Sequence, residues 1–249
     1  MQKMEVNQTT AKYQITVKKI SRLKKQKKNK IKNIILMYSI MIIKFISSLV
    51  QFIMATTKYK SLDESHGIIH SFNTLHYAQN IFEHEKYKHS DLIPHERVIY
   101  VASAVHDMCD KKYMDENEGM QRIDDMLKKH ITDSEIQAVH DIVGTMSYSK
   151  VKKRGFPDLG KYQSAYHVVR EADLLCAYDF DRALIYHMYH KNNDFQEAYQ
   201  ESIDLFKNRV FRHEKDNLFT YDYSKQEAME LKKHSLQRIR QWKRIMKSL

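Results

Sequence analysis

Beyond residue 57 the apolar residues recur at helical spacing almost without a break. Ile69, Phe72, Leu75, Ala78, Ile81 and Phe82 share one 3.6-residue stripe, which predicts a helix from a cap at Asp63 or Ser65 to about Tyr87. Pro94 suits a first-turn position, and Val98, Ile99, Val101, Ala102, Ala104 and Val105 make the next segment apolar nearly all round, as a central buried helix is. That helix ends in His106 and Asp107. Further helices are predicted over 116–129, 133–146 (capped by Asp133 or Ser134), 158–176 after Pro157, 179–191, 194–210 and 224–247, leaving loops at 147–157 and 211–223.

Composition supports the same fold class. Five Gly and two Pro in 249 residues are too few to turn the many strands of a sandwich or barrel, so the expectation is an all-α helical bundle. A hydrophobic fraction of 42% supplies a core and excludes disorder over the whole length. No repeat and no second break in composition appears after residue 57, so residues 58–249 read as one domain. Two cysteines, Cys109 and Cys176, build neither a disulfide framework nor a four-thiolate zinc site, and they fit a reducing, cytoplasmic compartment.

The net charge of +11 suggests nucleic acid until it is partitioned along the chain. Residues 1–54 hold 12 Lys/Arg and the single acid Glu5, which accounts for all of it. The body is left with 30 bases and 30 acids, and with all 14 histidines. A neutral body has no broad field for a polyanion, so no nucleic-acid partner is expected for it. The leader, residues 1–57, carries a Lys-rich run at 18–32 and then an apolar stretch at 34–54 of membrane-spanning length. Lys44 near the middle opposes insertion by roughly 2.5–3.5 kcal/mol. A spanning or peripheral membrane anchor, a basic tail for nucleic acid, and an upstream over-extension before a natural start at Met54 all fit the segment.

The chemistry concentrates at His106–Asp107, two metal-competent side chains at the end of an apolar helix. Such groups are costly to bury unpaired. An imidazole beside a carboxylate can place both donors on one divalent ion if other helices bring the remaining ligands, and His70 and Asp173 are the best candidates. His66 lies four residues before His70 and reads as a residue that organises the first helix or supports a ligand from behind.

These residues resemble the HD-domain metal-dependent phosphohydrolases, above all the small single-domain members. The family order is a His on one helix, an adjacent His-Asp pair ending a later helix, and a distal Asp on a following helix; His70, His106, Asp107 and Asp173 match it. The flanks match as well: HGIIH at the first ligand, HDMCDKKY around the pair, TMSYSK in the intervening loop and READLLCAYD at the distal Asp. The likeness spans roughly residues 58–220. It implies an all-helical fold around one divalent ion (Mn, Fe, Co, Ni, Zn or Mg) and hydrolysis of a phosphate ester or anhydride in a small metabolite, a nucleotide above all. Alarmone hydrolases of this family place an acid four positions after the motif histidine, and Asp110 stands there, as a general base or water-orienting group beside Asp107. Lys111 stands where their second acid is expected, a departure from alarmone specificity.

The substrate's phosphates call for cations. Lys111, Lys112, Lys150 and Arg170 are the candidates, with Lys152, Lys153 and Arg154 nearby; Arg170 leads because it is one turn before Asp173. Dinuclear relatives add histidines between the pair and the distal Asp, which makes His130 and His140 the candidates for a second ion. The rival functions are a cyclic-nucleotide or dinucleotide phosphodiesterase, which wants two metals, and a non-catalytic HD-like scaffold or nucleic-acid-binding protein, which would show a broken ligand set.

Overall fold

The structure is a computed structural model that describes residues 36–60, 66–190 and 194–248, together with Lys28 and Lys32. The fold is an all-α bundle, with no strand among the described residues. The chain divides into two compact units, Met1–Ser48 and Leu49–Leu249. The unit that bears the site thus begins before residue 58: Leu49, Ile53 and Thr56 are buried. These three residues belong to α1 (Leu36–Tyr59), a helix long and apolar enough by length and composition to cross a membrane, with a mean hydropathy of 1.8. Apart from Lys28 and Lys32, the Lys-rich run at 18–32 lies outside the described residues, as do the expected caps Asp63 and Ser65.

In the second unit α2 (Ile68–Glu85) starts after Gly67, and a 3₁₀ turn at Ser90–His95 carries Pro94 into α3 (Glu96–Val105). The proline therefore ends the turn ahead of the helix instead of opening the helix itself. Helix α3 is the central element, buried continuously from Val101 to Val105. Its small residues Ala102, Ser103 and Ala104 let α2, α5 (Asp133–Thr145) and α7 (Gln163–Cys176) pack against it. Helix α5 is capped by Thr132, one residue before the expected caps, with Glu135 completing a capping box. Helix α8 (Phe180–His190) packs on α9 (Phe195–Asn208), and α10 (Asp222–Ser248) lies across α7, α2 and α8.

Two local features shape the site. Helix α4 (Glu116–Leu127) passes so close to the turn after α3 that a Cβ at Gly119 would meet Cys109 Cβ at 2.6 Å; only glycine fits that crossing. The segment expected as a loop at 147–157 contains α6 (Tyr148–Arg154). Its four cations hid the helix, whose one buried residue is Val151; it stops at Gly155, where φ is +75°.

Candidate metal centre

Helix α3 ends at Val105, and His106, still helical in its backbone angles, turns its ring into the core beside Asp107. Helix α2 presents His70 from one side and α7 presents Asp173 from the other. The four meet. His70 Nε2 lies 3.2 Å from Asp107 Oδ2 and 3.3 Å from Asp173 Oδ1. His106 Nε2 lies 3.4 Å and 3.6 Å from the same two oxygens, and the two Nε2 atoms are 3.0 Å apart. His106 Nδ1 donates to the Ser103 carbonyl at 2.9 Å, which leaves the Nε2 lone pair facing the cluster. Arg182, from α8, lies against His70 Nδ1 on the far side of that ring.

Electrostatics bind the four together. Burial works against a charge on both rings, and Arg182 adds to it at His70, yet the Asp107 and Asp173 carboxylates outweigh this and hold both imidazoles above their usual range. Burial likewise opposes ionisation of the two carboxylates, and the imidazoles still hold Asp107 below and Asp173 well below the usual range. Asp107 Oδ2 is buried against the two Nε2 atoms without forming a well-aligned hydrogen bond to either. Two imidazoles with two carboxylates converging in this way are a donor set for a divalent transition ion. His70, His106 and Asp173 present ligand atoms within 4.8 Å of one another, as do His66, Asp107 and Asp110. These groups can hold a metal ion.

The cluster forms the floor of a cavity of about 520 Å³. Asp110, Lys111, Lys112 and Lys150 all line it, as do Glu116, Tyr148, Tyr186, Arg182 and Arg209. Asp110 Oδ1 accepts from the backbone N–H of Lys112 at 2.8 Å, a turn that folds the carboxylate back toward His66. Lys150 reaches the Gly144 carbonyl at 2.7 Å and Glu116 at 3.1 Å. Lys152 instead pairs with Asp216, and Lys153 and Arg154 do not line the cavity.

Arg170 is placed elsewhere. It is 1% exposed, donates to the Leu218 carbonyl and to Glu171 Oε1, and stacks on the Phe156 ring 4.7 Å away. Glu171 in turn receives the N–H groups of Thr220 and Tyr221. The pair ties the 211–223 segment to α7 and does not face the cavity. Adjacency to Asp173 along the helix does not decide which neighbour a side chain packs against. His140 pairs with Asp124, and neither it nor His130 reaches the cavity.

Arg182 and Arg209 escaped the sequence reading, since they lie on or after helices remote from the motif. The Arg209 guanidinium stands 4.1 Å over the Tyr148 ring, and burial pulls its pKa down while Asp173 and Tyr148 oppose the shift.

No protein-family model matches the sequence, and no curated protein matches it. The fold has a solved counterpart. The crystal structure of a Lactobacillus plantarum protein, a structural-genomics target, superposes with a TM-score of 0.60 at 18% identity, covering 83% of this chain and 98% of that one. At that identity the likeness is one of fold alone.

Proposed function

We propose that the chain is a metal-dependent phosphohydrolase of the HD-domain type that cleaves a phosphate ester or anhydride in a small metabolite, with a nucleotide as the favoured substrate. The observation that carries this reading is the convergence of His70, His106, Asp107 and Asp173 on one point at the floor of a cavity that also bears five cationic side chains. A divalent ion held by these four would lower the pKa of a water molecule and polarise a phosphoryl oxygen.

The chain's own residues supply the rest. Lys111, Lys112, Lys150, Arg182 and Arg209 offset the charge of a phosphate group, with the two guanidiniums able to grip it through paired N–H groups. Asp110, fixed by the Lys112 N–H, offers a carboxylate that orients water or takes its proton. Tyr148 and Tyr186 give the cavity aromatic faces suited to a base or sugar. Free, buried Cys109 and Cys176 fit a reducing compartment, and α1 offers a membrane attachment for a cytoplasmic enzyme.

The test is phosphate release from a panel of nucleotides and sugar phosphates, before chelation, after chelation and after each divalent metal is returned. Release that vanishes on chelation and returns with metal is expected; release indifferent to chelation, or none from any phosphate compound in metal-replete protein, would sink the reading.

A further inference from the structure

We propose that the same cavity holds a second divalent cation on His66, Asp107 and Asp110, with the Asp107 carboxylate shared between the two ions. One ligand atom from each of these three residues lies within 4.8 Å of the others. Asp107 is the hinge. Its Oδ2 is turned to His70 and His106, 3.2 Å and 3.4 Å from their Nε2 atoms, and a carboxylate engaged through one oxygen has a second to give to a neighbouring ion.

His66 is set up as a ligand. Its Nε2 lies 3.4 Å from the Lys112 ammonium, a group with only hydrogens to offer, so Nε2 is the accepting nitrogen and the proton sits on Nδ1. Tyr113 Oη, 3.1 Å away, accepts that proton. This arrangement parallels the one at His106, where Nδ1 donates to a carbonyl and Nε2 faces the cluster. Asp110 completes the group, its orientation fixed because one oxygen accepts the Lys112 N–H at 2.8 Å.

The place is already marked by a cation. Lys112 lays its ammonium on the accepting nitrogen of His66, with the Tyr186 ring centroid 5.9 Å away, and lines the cavity. A flexible lysine can yield that position to an ion. One imidazole and two carboxylates form a harder donor set than the first centre, which suits Mn²⁺ or Mg²⁺ completed by water and phosphate oxygens. The second ion is therefore bound more weakly than the first. The inference deepens the phosphohydrolase reading by giving Asp110 a ligand's role in water activation, but its test reads metal and not turnover.

The experiment titrates the full-length protein with Mn²⁺ under electron paramagnetic resonance. Two ions per chain are expected, one tight and one weaker, with the spectrum of the doubly filled protein altered by coupling across the shared carboxylate. Asp110→Asn and His66→Ala should each lose the weaker ion and the coupling while keeping the tight one and the wild-type circular dichroism. Lys112→Ala should bind the weaker ion several-fold more tightly, because the competing ammonium is gone. Saturation of the wild type at one ion into the millimolar range would overturn the proposal. So would two coupled ions in Asp110→Asn and His66→Ala, or weaker binding in Lys112→Ala. A chain that binds two ions and releases phosphate from nothing contradicts the hydrolase reading alone; one that hydrolyses with a single ion contradicts this inference alone.

Discussion

The Nε2 atoms of His70 and His106 stand 3.0 Å apart, a separation two lone pairs do not tolerate unless a proton or a metal lies between them. His106 gives its Nδ1 proton to Ser103 and so turns a lone pair inward, while Arg182 against His70 Nδ1 leaves the His70 proton on Nε2. A proton on His70 Nε2 satisfies that separation, and a metal ion between the two nitrogens would satisfy it as well.

Metal binding needs both Nε2 lone pairs, and acid, by converting the rings to imidazolium, should weaken it. Burial opposes charge on both rings, but Asp107 and Asp173 raise both above the ordinary imidazole value, so protons compete from a higher pH than for free histidine. Affinity for the tight ion should be flat above the raised values and fall as pH drops through them, by about tenfold per pH unit for each proton displaced. Calorimetric titration of Mn²⁺ or Zn²⁺ at several pH values reads this directly, and a pH-independent affinity would show that no histidine proton is released.

Arg170 should act on stability. Its guanidinium and the Glu171 carboxylate are both buried, 3.1 Å apart. Removing one leaves the other unpaired, so Arg170→Ala should cost about 3–5 kcal/mol of folding stability. Chemical denaturation checks the loss. A variant of unchanged stability with a raised KM would return Arg170 to the cavity.

His213 should make the fold acid-sensitive. It is fully buried among Tyr148, Tyr178 and Phe219, neither ring nitrogen has a hydrogen-bond partner, and burial with help from Arg209 pushes its pKa down to about 3. The unfolded chain takes up this proton near pH 6.5 and the folded chain does not, so stability present above about 6.5 is lost as pH falls toward the folded value. His213→Phe should flatten the stability–pH slope in that window by about 1.4 kcal/mol per pH unit. An unchanged slope in denaturation curves between pH 4 and pH 6.5 would mean that His213 is not the group responsible.

Arg209 should matter for substrate binding. Arg209→Ala removes a charge-assisted contact of about 1.5–3 kcal/mol, so KM should rise about tenfold or more while tight metal binding stays intact. Steady-state kinetics beside metal analysis separate this from damage to the centre; an unchanged KM would make Arg209 a packing partner of Tyr148.

The helices were legible from their apolar period, and His106 and Asp107 because polar residues ending an apolar helix are costly unless something uses them; His70 and Asp173 joined them through the order of residues in the family they resemble. Periodicity placed α2, α3 and α7, and with them His70, His106 and Asp173. Helix α6 was hidden because its charges mask a single buried position, Val151. Arg170 was misplaced because helical spacing gives adjacency to Asp173 but not the partner across the interface, here Leu218 and Glu171. The grouping of His66 with Asp110 depends on the turn at 106–113, which period-based reading does not reach. Arg182 and Arg209 join the cavity only through the packing of α8 on α9.

The central claim is that His70, His106, Asp107 and Asp173 share one ion. Its most direct test is elemental analysis of the wild type, the four single alanine variants and the His106→Ala/Asp173→Ala double variant after dialysis against a weak chelator. One tight equivalent per chain is expected in the wild type, loss of it in every single variant, and no further loss in the double, because residues acting as a unit are not additive. A full tight equivalent retained by Asp107→Ala, or partial losses that multiply in the double variant, would contradict it.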